Sequence, residues 1–437
     1  MTAEVAVMNT MAIALAADSA VTTVGGKIYN TANKLFELSR ANSIGIMVYG
    51  ASQLMGVPWE TIIKEYRFSI GHKSFKTLEE CADNFFEFVA GIFPQEVQSK
   101  YFERDLRNFY KERVLKNIIN KIKEEIENKG SIKETLVKEI VSKIIDEFYK
   151  EFQDRPSLPI DSDAYRDLIR KKYIEIINKC INDVFRKLPI SEILKNKLIE
   201  IAVNLCCKDI FPKNISGVVI AGFGKDDIFP SLIEYRIHHV LGNKLKYSIG
   251  RKAKIDFRKN AIIVPFAQSE MIQTFMEGVD PRYQVAIENL LSKFLSEFAV
   301  VLKDNIPDIE FAKKLNDFLE STIPKFKNEL KLHRQTYNVQ PIMAAVSSLP
   351  KEDLAALAES LVHLTSLKRK VTAGQTESVG GPIDVVVISK GDGFIWIKRK
   401  HYFEADKNPS YFIRLLSEFL TEGEENYAEE EKEGKGV

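Results

Sequence analysis

The run Thr2-Ala3-Glu4-Val5-Ala6-Val7-Met8-Asn9-Thr10-Met11-Ala12-Ile13-Ala14-Leu15-Ala16-Ala17-Asp18-Ser19 decides how the rest of the chain is read. Two short apolar segments, Val5 to Met8 and Met11 to Ala17, flank a turn signal at Asn9-Thr10, which is the pattern of a β-hairpin. With the three-residue loop Asn9-Thr10-Met11, paired positions sum to 20 and Thr2 faces Asp18 on the same side of the sheet; a two-residue loop would put Ala17 there. Asp18 ends an otherwise apolar strand, which β-propensity does not explain, although Asp18-Ser19 would also suit a strand-ending turn.

Thr2 stands directly behind the initiator. Removal of Met1 is expected before so small a residue, and it leaves a hydroxyl and a free α-amine on one residue. An α-amine has an intrinsic pKa of about 7.7–8.0, so near neutral pH it can take the hydroxyl proton. The start Met1-Thr2-Ala3-Glu4 lacks the basic residues and apolar core of a signal peptide, so a cytoplasmic location is expected.

Outward from this hairpin, composition excludes more than it assigns. The 437 residues carry 62 Lys+Arg against 61 Asp+Glu, a net charge of +1, so no global field draws the chain onto nucleic acid or an anionic membrane. No apolar run approaches the roughly 20 residues that span a bilayer. Cys81, Cys180, Cys206 and Cys207 fit neither a zinc spacing nor a disulfide framework and read as reduced, buried thiols. No phosphate loop, nucleophile elbow or zinc helix is present, and no cofactor is expected. His238-His239 is the one histidine pair; adjacent strand residues point to opposite faces, so no shared metal is expected there.

Strand-like segments continue through Lys34 to Leu38 and Ile44 to Tyr49, and helical periodicity begins at Trp59, Ile62, Ile63 and Tyr66. A second helix is read from Thr77 to about Ile92. The Lys/Glu/Ile-rich region that follows repeats apolar residues among charges, as in Leu115, Ile118, Ile119 and Ile122, which marks amphipathic helices. Strands resume at Ile215 to Phe223 and Ser231 to Ile237. Helices are read from Ser269 to about Leu332, with Pro281, Pro307 and Pro324 as starts or breaks, and from Lys351 to about Lys368. A strand pair, Ile383 to Ile388 and Gly393 to Ile397, closes the pattern. The expected division is a core in three parts, 2–93, 214–278 and 349–420, with helical insertions at 94–213 and 279–348. The tail 421–437 holds seven Glu and two Lys with little apolar content, and it is expected to be disordered. Strands distributed over the whole chain imply one discontinuous α+β core.

On Ala16-Ala17-Asp18-Ser19 with Val21-Thr22, the sequence resembles the proteasome β-type peptidases of the N-terminal nucleophile hydrolase superfamily, as a bacterial-type homologue with helical insertions. That family separates its N-terminal threonine from its catalytic aspartate by sixteen residues, as Thr2 and Asp18 are separated, and its active-site lysine lies another sixteen on, where Lys34 stands. Val48-Tyr49-Gly50-Ala51-Ser52 is similar to the strand end whose glycine amide receives the oxyanion, which nominates Gly50. Gly217 to Phe223 with Ser231-Leu232 and Gly380-Gly381-Pro382 through Gly393 are similar to its later strands.

The chain departs from the family at Val379 and Thr376, which stand where it has a serine and an aspartate. Glu377 and Ser378 lie one position away and are weaker candidates. So is Ser269, in Ala267-Gln268-Ser269, where the family has G-S-G. The resemblance implies a four-layer α-β-β-α sandwich of two antiparallel sheets, and a threonine peptidase acting on protein or peptide through an acyl-enzyme. Members of that family work as rings, often fed by an ATP-dependent unfoldase, so the resemblance also implies a homo-oligomer of that kind. The alternatives are an amidohydrolase of a small amide and an inactive scaffold.

Overall fold

A computed structural model describes residues 2–22, 27–39, 41–306, 308–372 and 379–413. The strands are β1 (Ala3–Asn9), β2 (Ala12–Ala17), β3 (Val21–Thr22), β4 (Ile28–Tyr29), β5 (Leu35–Ser39), β6 (Ile44–Gly50), β7 (Gln53–Leu54), β8 (Val57–Pro58), β9 (Ser216–Gly222), β10 (Ser231–Leu241), β11 (Lys244–Lys254), β12 (Ala261–Ala267), β13 (Asp384–Ser389) and β14 (Gly393–Lys398). Two five-stranded sheets, ordered β12-β1-β2-β13-β14 and β11-β10-β9-β6-β5, hold the longer strands, and β3/β4 and β7/β8 form small two-stranded sheets.

β1 is buried on both faces, which explains its lack of polar alternation. Ala6 and Met8 point into an apolar cluster that also takes Ile13 and Leu15 from the first sheet and Met47, Val219 and Leu232 from the second. Val5 and Val7 point the other way, against Leu354, Ala358 and Leu361 of α13 (Lys351–Val371). The far face of the second sheet, through Ile46, Val218 and Ile220, packs on α1 (Trp59–Ile70) and α2 (Leu78–Gly91). Thr77 caps α2 by accepting the Glu80 amide on its side chain. Antiparallel sheets and many helices make the chain α+β.

Between α2 and β9 run α3 (Gln95–Phe109), α4 (Lys116–Lys129), α5 (Glu134–Asp154), α6 (Asp163–Lys172), α7 (Ile174–Phe185) and α8 (Glu192–Cys207), with a π-helical stretch Tyr110–Leu115. They enclose a separate apolar cluster that includes Phe102, Tyr110, Ile144, Ile177 and Leu198. All four cysteines are free and buried. After β12 come α9 (Glu270–Glu277), α10 (Pro281–Asn305), α11 (Ile309–Arg334), a π-helical stretch Gln335–Val339 and α12 (Gln340–Ser348). Pro281 does start α10, but α11 continues through Pro324, so that proline is no break. Pro307 lies outside the described residues. α10 leaves Tyr283, Leu290, Phe294, Phe298 and Val301 exposed along one apolar stripe.

The chain divides into two units, Met1–Ile397 and Lys398–Val437. In the second, a 3-10 turn spans Ala405–Lys407 and Phe403 packs on the Tyr411 and Phe412 rings. The acidic segment 421–437 lies outside the described residues. No helix among the described residues is long and apolar enough to cross a membrane.

Candidate active site

The first hairpin differs from the register the sequence suggested. Glu4 pairs with Ala17 and Val5 with Ala16, so positions sum to 21 (4 + 17), the loop is Thr10-Met11, and Asp18 lies opposite Ala3 rather than Thr2. Asn9 accounts for the shorter loop: its side-chain oxygen accepts the Met11 and Ala12 amides at 3.0 and 3.2 Å, and so closes the turn locally.

The Asp18 carboxylate nevertheless reaches the threonine, through a lysine. Lys34, in the segment leading into β5, donates to Asp18 Oδ1 at 2.7 Å and to Thr2 Oγ1 at 3.2 Å. Asp18 is fixed by three backbone amides as well. Oδ1 accepts Ala3 N at 3.0 Å, and Oδ2 accepts Gly380 N at 3.0 Å and Ala20 N at 3.3 Å. The glycine-rich segment before β13 therefore clasps the carboxylate, and the Ser19 amide donates back to the Gly380 carbonyl at 3.1 Å. Thr2, Asp18 and Lys34 are 6%, 1% and 4% exposed, so the ion pair is shielded from solvent and from salt.

Gly50 ends β6, and with Thr2, Lys34, Tyr49 and Ser52 it lines a cleft of about 160 Å³. Its amide direction follows from ladder alternation. Ala51 N donates to Ile215 O on the β9 side, whereas Val48 N donates to Lys34 O on the β5 side. Gly50, two residues beyond Val48, therefore aims its N–H toward the β5 side, where β5 has not yet begun and Lys34 borders the cleft. Glycine is required there: φ is +77°, and a Cβ would sit 2.3 Å from the Ile215 carbonyl oxygen. Tyr49 stays a protonated donor, because burial and the hydrogen bond to Glu234 push its hydroxyl pKa far up.

Sequence reasoning missed Glu4. It shares the Thr2 face of β1, is fully buried, and neither carboxyl oxygen has a hydrogen-bond partner. Burial pushes its pKa well above 4.5; Lys34 pulls it down and Asp18 adds to the rise. The available signal was its standing as the sole charge in Ala3–Asn9.

Ser269 precedes α9, one residue after Gln268, whose amide donates to the Thr2 carbonyl at 3.2 Å. Among the described residues no hydrogen bond joins the Ser269 hydroxyl to Thr2, Asp18 or Lys34. Glu377 and Ser378, like Thr376, lie outside the described residues. Val379 is buried beneath α13.

No family model and no curated protein matches the chain. Among solved structures it is similar to Anbu (ancestral beta-subunit) from Yersinia bercovieri. Identity there is 10% over 96% of each chain, with a TM-score of 0.25. So weak a likeness carries no argument, and the functional reading rests on the site.

Proposed function

We propose that the chain is an N-terminal threonine amidohydrolase of proteasome type, which cleaves peptide bonds after Met1 is removed. The observation that carries this reading is the buried Lys34 ammonium, bonded at once to Thr2 Oγ1 and to Asp18, beside a cleft edged by Gly50. The freed α-amine takes the hydroxyl proton, and Oγ1 attacks the scissile carbonyl carbon. Lys34 stabilises the developing alkoxide, and Asp18 holds Lys34 in place. The tetrahedral oxyanion faces the Gly50 N–H, an interaction worth roughly 2.7–4 kcal/mol in comparable sites. Collapse breaks the C–N bond; the amine leaves with the proton the α-ammonium returns, and water then hydrolyses the acyl ester.

The two-sheet packing with helices on both outer faces supports the four-layer sandwich of that superfamily. The exposed stripe on α10 is the surface on which copies of the chain would associate as a homo-oligomer. The small cleft also favours a second reading, in which the substrate is a small amide. Hydrolysis of fluorogenic peptides by wild type, with none by Thr2→Ala, supports a peptidase. Hydrolysis of small N-acyl amides alone would move the assignment to the second reading, and turnover unchanged in Thr2→Ala would end both.

A further inference from the structure

Strand alternation should send the imidazoles of His238 and His239 to opposite faces of β10, and it does not. Ile237 pairs with Tyr247 and Val240 with Leu245, so three steps on β10 oppose two on β11, which is a bulge. The bulge brings the two rings to 4.4 Å between centroids, with Nδ1 to Nδ1 at 2.8 Å. The displaced Val240 amide donates to Met55 Sδ at 3.1 Å. From the helical segment, Asp105 of α3 places Oδ2 3.4 Å from His238 Nε2.

We propose that Asp105, His238 and His239 form a binding site for one first-row divalent transition metal ion of the zinc class, which ties α3 to β10. Their donor atoms lie within 4.8 Å of one another. Ligand atoms around a tetrahedral zinc with bonds of about 2.0–2.2 Å sit roughly 3.3 Å apart, so modest side-chain rotation closes the site. Two imidazoles and a carboxylate suit such ions, and no thiol is among the donors.

An independent observation is that His239 Nε2 is buried with no hydrogen-bond partner, on a side chain in a residue only 5% exposed. A buried imidazole nitrogen left without a partner is costly, and a metal bound at His239 Nε2 itself offsets that cost. The two neighbouring cations are already committed. Lys246 donates to the Leu205 and Ile210 carbonyls, and Arg104 pairs with Asp105 Oδ1 at 2.9 Å, leaving Oδ2 toward the histidines. Their repulsion of a bound cation weakens the expected affinity.

The test uses the full chain, stripped with chelator and titrated with Zn²⁺ by calorimetry and with Co²⁺ by visible absorption. The expected result is one ion per chain, a cobalt spectrum without thiolate charge-transfer bands, and a rise in thermal midpoint on zinc addition. Affinity should fall at least tenfold in His238→Gln and in His239→Gln, each shown folded by circular dichroism, with Thr2→Ala binding as wild type does. Absence of stoichiometric binding by wild type, thiolate bands in the cobalt spectrum, or undiminished binding in both histidine variants would overturn the proposal.

Discussion

At the scale of single residues, the three proposed site residues were legible in the sequence and their surroundings were not. Thr2, Asp18 and Lys34 were legible because they stand at the sixteen-residue intervals of the family that the sequence resembles, and the structure joins them by hydrogen bonds. What the sequence misjudged was the register: Asp18 lies opposite Ala3, whose amide it accepts, and pairs with Lys34 instead of facing Thr2. Removing one partner of a buried ion pair typically costs about 3–5 kcal/mol, and loss of a group that stabilises charge on a reacting oxygen costs about 10²–10³ in rate. Lys34→Ala should show both effects, in urea denaturation and in turnover of folded protein. Glu4 contributes the opposite kind of pH dependence from a paired carboxylate. Its folded-state pKa is raised, so its contribution is fully present below about 4.5 and is lost as pH climbs through the raised value. Glu4→Gln should therefore gain stability relative to wild type as pH rises above 4.5, read as a growing difference in urea midpoint; a pH-independent difference would show that Glu4 ionises as freely folded as unfolded.

At the scale of elements, β1, β2, β5, β6, β9, β10, β13 and β14 and the helices α1, α2 and α13 followed from period and turn signals, because propensity and packing agree there, whereas the edge strands β11 and β12 were not read. Register and bulges did not follow. The hairpin loop is set by the Asn9 side chain closing over Thr10-Met11, and the turn residues alone leave either loop length open. The paired histidines depend on one inserted residue in β10, a choice made by pairing with β11 that no local pattern announces. The end of β6 carries its own prediction. Gly50→Ala forces an alanine to φ +77° against the Ile215 carbonyl and swings the amide away from the cleft. A left-handed non-glycine residue costs roughly 1–2 kcal/mol, and losing an oxyanion donor costs about 10²–10³ in rate. kcat should fall by at least that factor, with KM little changed.

At the scale of the whole molecule, the helical region between α2 and β9 announced itself by composition, yet its internal packing could not be read, because charged amphipathic helices specify a face but no partner. Its apolar cluster is separate from the clusters around the sheets. Ile177→Ala, at a fully buried position in that cluster, should cost about 2–5 kcal/mol while leaving turnover per folded molecule near wild type. On the proposed association through the exposed α10 stripe, Phe294→Glu should instead leave stability unchanged and lower the mass measured by light scattering below that of wild type, and an equal mass would end that proposal. The proposed function turns on whether Thr2 is a free N-terminal nucleophile. The most direct measurement is intact mass with N-terminal sequencing after treatment with a threonine-directed covalent probe. The expected result is a chain that starts at Thr2 and carries one probe adduct, absent from Thr2→Ala; a chain that retains Met1, or wild type as unlabelled as the variant, would overturn the proposed function.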